Sequence, residues 1–299
     1  MKYANPLCRL AAAIAFAVAA AGIGPAGAFG ASLSADADEA PPGVAPPSAS
    51  SGPMSTKSFQ GTAYMKTRNT RLLEGKNYGF TRMAIQAMVD HCNAMRTSAK
   101  LEPAVPPEHV MANLDVSIQE KYFDTDKALT VFTHHTATIP DMERFTKELH
   151  AARGQGVPAA PDCKLRPLEP RTATLWREGR MYRLDYDTKK AFGSAQPRLM
   201  ASKPYLNSDA FSTFPLKEHL GQSCREVSGL SALAADSRSC IWDLFPYVSY
   251  LNWPFALSGR VKFLSTFYET IEPLEADHGK PISPSVFEIP AGFTVIDRN

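Results

Sequence analysis

Apolar and polar positions along the chain follow periods that predict a few early helices and a β-rich remainder. Phe59 to Lys66 reads as a strand, and Phe80 to Ser98 then places Phe80, Met83, Ala84, Ala87, Met88 and Met95 at helical spacing, one apolar stripe. Leu114, Val116 and Ile118 alternate with polar residues. After an Asp124-Thr125-Asp126-Lys127 turn, the run from Ala128 to Ile139 is rich in β-branched and aromatic residues, so a strand pair is expected there. Thr138 or Asp141 is placed to cap a helix from Pro140 to Ala152, since proline suits a first helical position. A Gly- and Pro-rich stretch to Pro170 ends it.

The second half is expected to be almost wholly β. Thr172 to Asp187 reads as a hairpin whose turn contains Gly179. Strands are expected around Phe211–Phe214, Cys224–Val227, Ser239–Leu244 and Trp253–Leu257, with a single long run from Arg260 to Ile271. In Ser285 to Phe293, Phe287 and Ile289 flank Glu288 as on a strand, Pro290 stops pairing and Gly292 lets the chain turn. Strand following strand without long intervening helices predicts an α+β fold, a curved antiparallel sheet or half-barrel packed against a few helices.

The N-terminal segment changes where this domain is expected to work. Lys2 and Arg9 precede an apolar stretch from Leu10 to Ile23, Gly24 and Pro25 break it, and Ala26-Gly27-Ala28 offers a small-residue cleavage site. Residues 1–28 therefore read as a secretory signal, its apolar stretch shorter than the roughly 20 residues that span a bilayer. Residues 29–58, mostly Ala, Pro, Ser and Gly, read as a disordered tether, and 59–299 as a single β-rich domain. Removing Lys2 and Arg9 leaves 30 basic against 30 acidic side chains, so nothing marks a nucleic-acid partner, and no transmembrane anchor is expected in the mature chain.

Removing residues 1–28 also removes Cys8. The remaining Cys92, Cys163, Cys224 and Cys240 are an even set in an oxidising compartment, and of three possible pairings Cys224–Cys240 with Cys92–Cys163 is preferred. No Cys/His spacing fits zinc, so neither a metal nor a cofactor is expected.

No nucleophile elbow, Walker loop or H-E-x-x-H occurs. His134-His135 sit on neighbouring strand positions that face opposite sides, which disfavours one shared ion. Glu269, Glu272, Glu275, Asp277 and His278 read as a solvated rim, and Asp124 and Asp126 as turn formers. Trp176, Tyr247, Tyr250, Trp253 and Phe255 are the candidate ligand contacts, with core packing as the alternative for each and for Trp242.

Gly221, Cys240-Ile241-Trp242, Pro254-Phe255-Ala256-Leu257, the Met181–Tyr186 strand and the closing Ser285–Phe293 segment together carry a resemblance. Over residues 172–297 the chain resembles exported bacterial domains of unknown function related to the outer-membrane lipoprotein carrier (LolA-like) proteins, with residues 140–170 and 228–238 as insertions. The resemblance implies a half-barrel with helices across its concave face and a lipid or other hydrophobic ligand. The function expected is thus a non-enzymatic exported envelope protein, most simply periplasmic, with an extracellular location as the alternative. A structural or protein-interaction module of the envelope is one alternative, and a secreted hydrolase using His134, His135 or His278 as base is another.

Overall fold

The computed structural model describes residues 61–125, 127–151, 160–195, 212–228, 237–243, 249–250, 253–254, 256–263 and 266–297, all within the compact unit Ser58–Asn299. The expected signal and tether lie outside them. None of the described helices is long and apolar enough to cross a membrane.

The chain opens with strand β1 (Thr62–Leu73), helix α1 (Phe80–Ser98) and the short α2 (Glu108–Asn113). Strands β2 (Val116–Asp124), β3 (Lys127–His134) and β4 (Thr136–Thr138) lead to α3 (Pro140–Ala151) and β5 (Arg166–Leu168). A meander follows of β6 (Arg171–Arg177), β7 (Arg180–Asp185) and β8 (Lys190–Ala195). The next strands are β9 (Leu216–His219), β10 (Gln222–Ser228), β11 (Arg238–Trp242), β12 (Ser249–Tyr250) and β13 (Trp253–Pro254). The last are β14 (Ala256–Phe263), β15 (Phe267–His278) and β16 (Thr294–Asp297).

Twelve strands form one sheet in the order β16-β8-β7-β6-β3-β2-β1-β15-β14-β11-β10-β9, which is open, with edges at β16 and β9. Its ladders are antiparallel except at one place. After β15 the chain crosses to the far edge, where β16 runs parallel to β8 in the register Val295↔Ala191 and Ile296↔Phe192. The sheet is therefore mixed rather than wholly antiparallel, because this last connection is a crossover and not a hairpin.

Pairing register sorts the side chains onto two faces. One cross-strand row reads Tyr64, Tyr122, Leu129, Leu175, Tyr182, Gly193, and the adjoining row on the opposite face reads Ala63, Phe123, Ala128, Trp176, Met181, Ser194. On the first, the Leu175 face, Leu129, Val131, Ala173, Leu175, Leu184 and Ala191 form one core cluster. On the second, the Trp176 face, Ala63, Met65, Phe123 and Ala128 belong to a cluster with Trp242 and Leu257.

Helix α1 spans the range its periodicity predicts, but rolled. Ile85, Val89 and Cys92 are its buried positions, while Met83 is 41% exposed. Two restraints set the roll. Cys92 is bridged to Cys163, with Cα atoms 5.8 Å apart, and the start of the helix is held by Asp115, whose carboxylate accepts the Gly79 and Arg82 backbone N–H groups at 2.6 and 3.1 Å. The second expected bridge, Cys224–Cys240, joins adjacent strands β10 and β11 with Cα atoms 5.3 Å apart.

Three other expectations shift. Ser212 to Phe214 lies outside any strand, and the edge strand instead begins at Leu216 beyond Pro215, which has no N–H for a ladder. The run from Arg260 to Ile271 divides into β14 and β15, which pair with each other as a hairpin. Finally, Phe287 lies in no strand: Pro284–Phe287 is a 3-10 turn that drives Phe287, 1% exposed, onto the Leu175 face. Pro284 fits the first helical position, and Pro290 cannot donate to a ladder. Gly292, at φ +83°, then turns the chain into β16.

Candidate functional site

Between the Leu175 face and the segment that crosses it lies a cleft of about 400 Å³. Its floor comes from the sheet: Leu129 and Val131 on β3 and Leu184 on β7, side chains that alternation points to this face. Val286, Ile289 and Pro290 form the facing wall, held there by buried Phe287 and by β16 at the far end. The wall is pinned further because Arg180 pairs with Asp297 of β16, and the Arg177 guanidinium donates to the Phe287 carbonyl at 3.4 Å.

Polar groups share the lining. Tyr122 and Glu120 come from β2, Arg171 from β6, Tyr186 follows β7, and Ser285 and Glu288 come from the crossing segment. The Tyr64 and Tyr122 rings stand 4.9 Å apart, and Tyr186 meets Phe293 edge-on at 5.3 Å. Arg171 lies over the Tyr186 ring at 4.7 Å. Lys66 sits between two carboxylates, 3.5 Å from Glu120 and 3.6 Å from Glu275. Burial raises the phenols of Tyr64, Tyr122 and Tyr186 above the usual tyrosine value, and the negative charge of Glu120 adds to the rise in all three. An apolar floor with polar and aromatic groups in the same lining can hold an amphipathic molecule and orient it.

The Trp176 face carries a different arrangement. Thr67, Asn69, Ser117, Thr130 and Glu269 are buried polar residues there, by register with their neighbours. The Thr67 hydroxyl donates to Asn69 Oδ1 at 2.8 Å, and Asn69 Nδ2 donates to Glu269 Oε1 at 3.1 Å. Arg71 Nε is 3.5 Å from the same Glu269 oxygen. Although its stem keeps some exposure, burial pushes the Lys121 ammonium down to a pKa of about 8, against a partial pull upward from Glu269. Thr67, Asn69 and Glu269 thus satisfy one another, as buried polar groups must.

Of the expected ligand contacts, Trp176 is half-buried against the core cluster of its own face, across the sheet from the cleft. Tyr250 and Trp253 are register partners in the two-stranded β12–β13 ribbon, while Tyr247 and Phe255 lie outside the described residues. Trp242 is core, at 1% exposure. The cleft residues gave only an indirect signal in sequence. The closing segment was conspicuous, but its facing partners are set by pairings from β1 to β8 that no local window contains.

The expected histidines do not converge. The His134 ring stacks on Phe132 at 6.1 Å, and burial lowers its pKa, while His135 faces Glu169 at 3.6 Å. His278 Nδ1 is 3.0 Å from Gln222 Oε1. His219, which sequence reasoning passed over, has Nε2 2.9 Å from Ser258 Oγ and lies near Cys224 and Cys240. Those two sulfurs are bonded to each other and so offer no thiolate to a metal, and β9 is at the edge of the sheet away from the cleft. Of the acidic run, Glu269 is buried, Glu275 faces Lys66 and Asp277 pairs with Lys280 at 2.7 Å. Asp126 lies outside the described residues, and Asp124 pairs in register with Lys127 across the β2–β3 turn.

No family model and no curated protein matches the chain. A solved structure of PNGF-II aligns with 80% of this chain and 32% of its own length, at 11% identity and a TM-score of 0.35.

Proposed function

We propose that the chain is an exported, non-enzymatic binding protein that holds an amphipathic ligand in the cleft between the Leu175 face and residues 285–291. The observation that carries this reading is the construction of the cleft: Leu129, Val131 and Leu184 on the sheet, a facing wall of Val286, Ile289 and Pro290, and polar side chains from β2, β6 and the crossing segment in the same lining. Export is supported by the N-terminal signal pattern together with two disulfides, which persist outside reducing compartments. The LolA-like resemblance of residues 172–297, with its half-barrel and its acyl ligands, favours the same ligand class.

Native mass spectrometry of the full chain purified from its own host tests the proposal. One bound small amphiphile per chain is expected, released by mild acceleration. A bare chain that also fails to take up fatty acids, lysolipids or alkyl amphiphiles in vitro would overturn it.

A further inference from the structure

Two tyrosines, Tyr122 and Tyr186, line the cleft together with the carboxylate of Glu120. Tyr122 adjoins Glu120 on the same face of β2, Tyr64 is the register partner of Tyr122, and Tyr186 belongs to the same lining. Aromatic faces attract cations, and a carboxylate among them adds a point charge of the right sign.

The resident cations only partly satisfy this surround. Lys66 is shared between Glu120 and Glu275, at 3.5 and 3.6 Å, and Arg171 is stacked on Tyr186. Glu288 adds a further carboxylate from the crossing segment. Among the side chains that line the cleft, Glu120 and Glu288 against Arg171 leave one surplus negative charge, above a floor of Leu129, Val131 and Leu184. An anionic headgroup would be repelled there, and a neutral one would gain nothing from the surplus. From this geometry we infer that the ligand carries a cationic head, an amine or quaternary ammonium, seated beside Glu120, Tyr122 and Glu288, with its apolar body on the floor beneath.

The inference rests on the cleft being a ligand site, and its test separates the two claims. Isothermal titration calorimetry of the full chain compares dodecyltrimethylammonium with dodecanoate, both below their micelle concentrations, at low ionic strength. The ammonium probe binds about tenfold more tightly than the carboxylate. Glu120→Gln, with an unchanged melting temperature, removes most of that preference, and Val286→Trp, which fills the cleft, weakens both probes. Equal affinity for the two probes, or a preference untouched by Glu120→Gln, overturns the cationic head and leaves the cleft standing. No saturable binding of either probe overturns both.

Discussion

Asp115 Oδ2 accepts the Gly79 N–H at 2.6 Å, so the residue just before β2 caps the helix that follows β1. The contact is tight enough that a Cβ on Gly79 would collide with the Arg71 carbonyl and with Asp115 itself. Asp115→Ala leaves two N–H groups of the first turn without their acceptor and lowers stability by about 1–2 kcal/mol. Urea unfolding checks this, with loss of helical ellipticity preceding global unfolding.

Burial of Lys121 gives the fold a pH dependence. Its folded pKa of about 8 lies below the ordinary lysine value of 10.5, so below pH 8 both states are protonated and the buried ammonium penalises the fold fully. Between pH 8 and 10.5 the unfolded chain binds the proton more tightly, and stability rises as the penalty disappears. Lys121→Met therefore raises stability at pH 7, by on the order of 1–3 kcal/mol, and flattens the profile over that window. Denaturant midpoints measured from pH 7 to 10 check both effects.

The disulfides close loops of unequal length, with sequence separations of 71 for Cys92–Cys163 and 16 for Cys224–Cys240. Replacing the first pair by serine costs about 4 kcal/mol and the second about 3 kcal/mol on a chain-entropy basis. Melting temperatures of the two double-serine variants, set against the oxidised parent, check the order.

Two hairpins turn through pairs of residues at positive φ: Glu178 and Gly179 at 53° and 70°, Leu220 and Gly221 at 54° and 73°. Both positions of such a loop favour Asn or Gly, yet the second hairpin places an exposed leucine at its first. Leu220→Asn stabilises the fold by about 1 kcal/mol, read from the thermal midpoint.

These residues also show why some of the structure was legible in sequence and some was not. Gly179 announced its hairpin because a two-residue turn is a local event, and α1 announced its limits because helical periodicity is local too. The roll of α1 was not legible, since Met83 and Ile85 are both apolar and the choice between them was made by Cys163 and Asp115, distant in sequence. Phe287 was misread for a related reason. Alternation around Glu288 is the same whether the segment is a strand or a turn, and only the waiting apolar face of β3, β6 and β7 decides. The cleft was the least legible part. It exists because β1 pairs with both β2 and β15, which lets the last crossover lie over a face assembled from six strands.

Photolabelling locates the ligand most directly. A dodecyl ammonium probe carrying a terminal diazirine is irradiated with the full chain, and the labelled peptides are mapped by mass spectrometry. Labels on β3 between Leu129 and Val131 and on the crossing segment near Val286 and Ile289 are the predicted result. Saturable labelling confined to the Trp176 face, or to the β9 edge around His219, would contradict it.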